Sequence, residues 1–69
     1  MHKDFKGNTI LAGDVVGLPL PEGLQPVVVD KLIEDEELRL EIHPLHKPDA
    51  KFTIPSKNTF LIKKGLIND

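Results

Sequence analysis

Apolar and polar positions alternate strictly in "ELRLEIH": Leu38, Leu40 and Ile42 fall on one face, and Glu37, Arg39, Glu41 and His43 on the other. A period of two residues belongs to a strand with one face buried and the other solvated. Upstream, "PVVVDKLI" is rich in β-branched residues and bounded by Pro26, which predicts a strand over residues 27–33. The polar stretch "EDEE" joins the two strands as an antiparallel hairpin, although it carries no glycine for a tight primed turn. A helix over "DKLIEDEELRLEI" ranks second, because Glu, Leu, Lys and Arg favour helices and Leu32, Ile33, Glu36 and Leu40 partly keep helical spacing. The alternation after Leu38 and the valines before Asp30 weigh against it, since β-branched side chains lose rotamer freedom in a helix.

Downstream, "HPLHKPDA" holds two prolines and reads as a loop. "KFTI" follows as a short strand with Phe52 and Ile54 on one side and Lys51 and Thr53 on the other. "PSKN" predicts a tight 3₁₀ turn opened by Pro55, and "TFLIKK" a last short strand with Phe60 and Ile62 on one face. The tail "GLIND" is expected to fray. At the start, "KGN" and "AGD" are turn signals, and "VVGLPL" leaves the second turn as a strand. About five short strands, turns between them and almost no helix predict an all-β fold. The expected architecture is a small SH3-like antiparallel barrel with a 3₁₀ turn before the last strand, in a single domain over residues 1–69.

The pattern D-x-x-G-N-x-I-x-x-G-D-x-V, carried by Asp4, Gly7, Asn8, Ile10, Gly13, Asp14 and Val16, resembles the opening of many small bacterial and phage-encoded SH3-like barrel proteins. It is similar there to the C-terminal barrel of PhnA-type proteins. The resemblance implies a β-turn, a short strand, and a second turn whose aspartate starts the first long strand. "KFTIPSKNTFLIKK" also looks like the usual barrel ending of strand, 3₁₀ turn and final strand. The opening match spans 13 positions and is a signature of fold, not of catalysis. "GLPLPEGLQP" departs from the pattern, being longer and richer in proline than a plain connection. It occupies the place of the long first loop of such barrels, a common site of partner contacts in the class.

At 69 residues the domain is small enough to bury only about 60% of the surface its unfolded form exposes. A composition 39% hydrophobic and 29% charged is nonetheless too apolar for a disordered tail. Without cysteine, neither a disulfide nor a thiolate zinc site can brace the core, so packing alone must hold it. No apolar run approaches the roughly 20 residues of a membrane span, and "MHKDFKGN" lacks the apolar stretch of a signal peptide. The expectation is a cytoplasmic protein without a membrane partner.

A net charge of −2 conceals an asymmetry. Residues 14–41 hold eight acids against Lys31 and Arg39, and residues 43–64 hold five lysines against Asp49. Opposite charge on two faces would help select a protein partner. The plainer expectation is that each half solvates its own strands.

Candidate chemistry is sparse. Gly7 and Gly13 lack the G-K-[ST] ending of a phosphate-binding loop, and Asp14 after Gly13 would repel a phosphate. His43 and His46 stand three apart, but Pro44 lies between them and the third histidine, His2, is at the terminus, so no metal site is expected. The run of acids at 34–37 has neither the spacing nor the internal glycine of an EF-hand loop, and reads as a solvated hairpin tip able to mimic nucleic-acid charge toward a basic partner. Ser56 follows Pro55 in a turn, with no nucleophile elbow around it. No catalytic residue, metal or cofactor is expected, and no enzymatic activity.

The leading expectation is a non-enzymatic interaction module of a size that suits a phage or mobile-element protein. It would bind an unidentified protein partner through Leu18, Leu20, Glu22 and Leu24 of the proline-rich loop and through Glu34, Asp35 and Glu36 of the acidic tip. Prolines among leucines make a rigid apolar projection that loses little entropy on binding. The alternative is a nucleic-acid-binding barrel using Lys47, Lys51, Lys57, Lys63 and Lys64. Against it stand the absence of Trp and Tyr, three phenylalanines expected mostly on core faces, and a pI near 5.8. Exposed edge strands would also let such a barrel pair with a second copy.

Overall fold

The computed structural model describes residues 1–65. Its strands are β1 (Val15–Leu20), β2 (Gly23–Glu34), β3 (Leu38–Pro44), β4 (Phe52–Pro55) and β5 (Phe60–Lys63). They form one antiparallel sheet in the order β4-β3-β2-β1-β5, and a 3₁₀ turn at Ser56–Asn58 precedes β5. β1 to β4 pair in succession as hairpins, and β5 crosses over to pair with β1, which is the connectivity of a small SH3-like barrel. The described residues contain no α-helix, so the helical alternative for 30–42 is not adopted.

Ile10, Val16, Val27, Val29, Leu40 and Ile42 form the buried core, with Leu18, Leu32, Ile54 and Leu61 packed against it. All six but Leu40 are β-branched, the side-chain type that fits a pleated, half-buried surface. On β2 the core-facing set runs Val27, Val29 and then Leu32, because the pairing slips between Val29 and Lys31 and leaves Asp30 as an extra residue. One additional residue moves the two-residue pattern by one position and re-aims what sits at the bulge. There Asp30 Oδ2 meets His43 Nδ1 of β3 at 2.7 Å, with Lys51 Nζ at 4.0 Å.

The stretch expected as a long proline-rich loop is instead a hairpin. β1 and β2 stay in register down to Leu20 and Gly23, and Pro21 and Glu22 make the turn. Gly23 follows with φ at 125°, which a residue with a Cβ rarely adopts. β5 accompanies β1 only as far as Gly17, and β3 accompanies β2 only from Val27. Pro19 and Pro26 lie just past those limits. A proline offers no N–H to a third strand, so both sit where the sheet has narrowed to two. Residues 18–20 and 23–26 therefore project as a two-stranded ribbon.

Two further expectations are corrected. Leu61, rather than Phe60 and Ile62, packs on the core, opposite Val16; a register shift beside Val15 leaves Ile62 half exposed. The phenylalanines do not fill the interior either: Phe5 is 70% exposed and Phe52 43%. Aliphatic side chains already occupy the narrow interior, and the rings remain outside.

Two buried aspartates hold the opening stretch. Asp4 accepts the backbone N–H groups of Lys6 (3.0 Å), Asn8 (2.7 Å) and Leu61 (2.7 Å), and the Asn8 side-chain amide at 3.1 Å. Asp14 accepts the N–H groups of Leu11 (2.8 Å) and Gly65 (2.7 Å) and the Lys64 ammonium at 2.7 Å. The turns between them use Gly7 and Gly13, with φ at 89° and 95°. His2, expected at a free terminus, is buried, and its Nε2–H donates to the Ile33 carbonyl at 2.8 Å. Of the tail expected to fray, Gly65 is docked on Asp14, and residues 66–69 lie outside the described residues.

Candidate partner-binding groove

The ribbon, the opening loop and the 3₁₀ turn enclose an apolar groove of about 450 Å³. One wall is Leu18, Pro19 and Leu20 of the ribbon; the other is Phe5, Phe60 and Ile54, with Lys57 and Asn58 at the rim. That volume lies within the range of sites that take ligands or partner side chains.

Each wall is fixed by local structure. The Phe5 N–H donates to the Thr59 carbonyl at 2.8 Å, and its ring packs on Phe60 with centroids 5.3 Å apart and planes tilted by 45°. Tilted aromatic pairs at such distances are favourable. Leu18 has its foot on the core, while Leu20, further along the ribbon, is 39% exposed. Pro55, at φ −65°, opens the 3₁₀ turn, and buried Thr59 closes it by donating its N–H and its hydroxyl to the Ser56 carbonyl, at 3.1 and 2.8 Å. With Ser56 and Thr59 buried, Lys57 and Asn58 stand out toward solvent.

Lys57 is the one formal charge in the lining, and it takes part in none of the ion pairs among the described residues. The lining holds no carboxylate, histidine or hydroxyl. Such a surface can bind an apolar group.

The structure divides the residues that the sequence nominated. Leu18 and Leu20 converge in the groove. Leu24 lies on the other side of the ribbon, where it and Ile62 flank Gly17: a Cβ on that glycine would stand 3.3 Å from Leu24 Cβ and 3.1 Å from Ile62 Cδ1. Glu22 is exposed in the ribbon turn. Glu34 ends β2 beside Met1, His2 and Leu32, and Asp35 and Glu36 follow in the next turn. That acidic tip and the ribbon turn stand at opposite ends of the twelve-residue strand β2. The two sets are not brought together.

The lysines are likewise dispersed. Lys57 rims the groove, Lys64 donates to Asp14 and to the Thr9 carbonyl, and Lys51 leans toward Asp30. Lys47 lies in the loop between β3 and β4, and Lys63 ends β5. His43 is engaged by Asp30, and among the described residues no three His, Cys, Asp or Glu side chains gather to hold a metal ion.

Phe5, Phe60, Ile54 and Asn58 were not nominated by the sequence. A signal existed for Phe5, which sits in "KDFKGN" between charges and a turn glycine, a poor setting for a core residue. No protein-family model, curated protein or solved structure matches the chain. No helix among the described residues is long and apolar enough to cross a membrane.

Proposed function

We propose that the chain is a non-enzymatic protein-interaction module that seats a segment of a partner protein in the groove between the ribbon and the 3₁₀ turn. The observation that carries this reading is the convergence of Leu18 and Leu20 with Phe5, Ile54 and Phe60 on one open apolar surface. Apolar area removed from water contributes about 25 cal/mol per Å², and a largely exposed aromatic ring supplies much of it. Paired strands and prolines hold the ribbon before binding, so little further ordering is needed. A cytoplasmic setting and a phage or mobile-element origin suit a small domain of this kind.

The test is capture from cell extract by the tagged chain and by a Phe5→Ser/Leu20→Asp variant, each with and without nuclease, read by mass spectrometry. One protein enriched by the wild type, indifferent to nuclease and lost with the variant, supports the module. Enrichment that survives the double substitution contradicts it. Recovery that requires nucleic acid also contradicts it and transfers the role to the lysine-rich half.

A further inference from the structure

Resting on the groove as the docking site, we infer that its occupant is an extended peptide segment of a partner protein that sets a carboxylate side chain beside an apolar one. The lining is apolar except for Asn58 and Lys57, and the Lys57 ammonium has no carboxylate within 4.0 Å among the described residues. Lys57 stands at the solvent-facing rim, so a ligand anchored in the groove passes its ammonium, where an acidic side chain is attracted as a charge-assisted hydrogen bond and a basic one is repelled. The chain's own acidic tip at 34–37 lies at the far end of β2 and does not supply that anion. The nearest acid along the ribbon, Glu22, sits in the exposed turn and is not part of the lining.

The occupant is a linear segment for two reasons. A standard domain interface takes about 800 Å² from each partner, roughly a sixth of this chain's 4531 Å², whereas a groove of about 450 Å³ accepts a few side chains. Among the described residues, β4 beside the groove also has a strand partner on one side alone, β3. The opening loop bonds to the last strand region through Phe5 with Thr59 and Asp4 with Leu61, while β4, which contributes Ile54 to the groove, ends the strand order on the other side. An extended peptide can add to such an edge while its alternate side chains enter the adjoining groove.

The experiment pans a displayed library of random linear peptides against the full chain, then titrates the synthetic winners by fluorescence anisotropy. The proteins are the wild type, Lys57→Gln, Lys57→Glu and Phe5→Ser/Leu20→Asp, each checked for native circular dichroism. The winners are expected to carry Asp or Glu next to Leu, Ile, Val or Phe, to bind less tightly as salt rises, and to lose about fivefold in affinity with Lys57→Gln. Panning on Lys57→Glu is expected to return Lys or Arg in place of the acid. Winners without an acid, or affinity untouched by Lys57→Gln but lost with Phe5→Ser/Leu20→Asp, would overturn the carboxylate while leaving the groove standing. No enriched peptide, or binding indifferent to Phe5 and Leu20, would overturn both.

Discussion

The carboxylate of Asp4 accepts the backbone N–H of Leu61 at 2.7 Å, tying the opening turn to the last strand. Through Lys6 and Asn8 the same side chain also shapes the turn that carries Phe5 into the groove. Asp4→Ala leaves a strand N–H and two turn N–H groups without their acceptor, at a cost of about 3 kcal/mol. A domain this small holds about 3–10 kcal/mol in all. The urea midpoint is expected to fall sharply, with Asp4→Asn between the wild type and Asp4→Ala. An unchanged midpoint in Asp4→Ala would show that the bond to Leu61 does not hold the fold together.

Acid should weaken the fold in a defined window. Burial pushes the Asp4 carboxyl up, but the hydrogen bonds from Leu61, Asn8 and Lys6 outweigh it and hold the group below the ordinary aspartate value of 3.8. Burial likewise raises Asp14, and the Lys64 ammonium with the N–H groups of Leu11 and Gly65 brings it below 3.8. A carboxyl depressed in the folded state stabilises above its unfolded pKa and loses that contribution as pH falls through its folded pKa. The urea midpoint is therefore expected to be level from about pH 7 to pH 5 and to drop below about pH 4. Asp14→Asn should flatten part of the acid limb from a lower starting stability. A midpoint that rises on acidification would contradict both assignments.

Gly65 is a close-approach position. A Cβ there would lie 2.9 Å from the Gly13 carbonyl oxygen, which is backbone and cannot rotate away. Gly65→Ala should push the chain off Asp14 and lower stability by about 1–2 kcal/mol, despite the unfolded-state entropy that a glycine replacement usually recovers. Thermal unfolding measures the sign; a stabilised Gly65→Ala would show that residue 65 does not pack on the Gly13 turn.

Leu18 and Leu20 line the same groove but should respond differently to a charge. Leu18 packs against the core, so Leu18→Asp buries a carboxylate and is expected to destabilise by about 2–4 kcal/mol. Leu20 is 39% exposed, and Leu20→Asp should change stability by less than about 1 kcal/mol while weakening binding. Chemical denaturation of the two single variants decides it, and equal losses would place both leucines in the core.

Much of the fold was legible because its signals are local. The alternation of Leu38, Leu40 and Ile42, the valines before Asp30, the glycines of the first two turns and "PSKN" each specify their element within a few residues. The proline-rich stretch misled because proline disfavours only a neighbour's hydrogen bond. Pro19 and Pro26 are compatible with strands once β5 and β3 have stopped, which depends on partners distant in sequence. The bulge at Asp30 and the burial of His2 under Ile33 also arise from tertiary contacts. Of the groove, Leu18 and Leu20 were legible as apolar residues among prolines. Phe5 left a signal in its polar setting, whereas Phe60 left none, because a ring's place inside or outside depends on whether aliphatic residues have already filled the interior.

Amide chemical-shift mapping of the labelled chain, titrated with a peptide selected on it, locates the working surface residue by residue. The largest shifts are expected on Phe5, Leu18, Leu20, Ile54, Lys57, Asn58 and Phe60. Shifts centred on the acidic turn at 34–37, or on Lys47 and Lys63, would contradict the groove as the docking site and place the working surface elsewhere on the barrel.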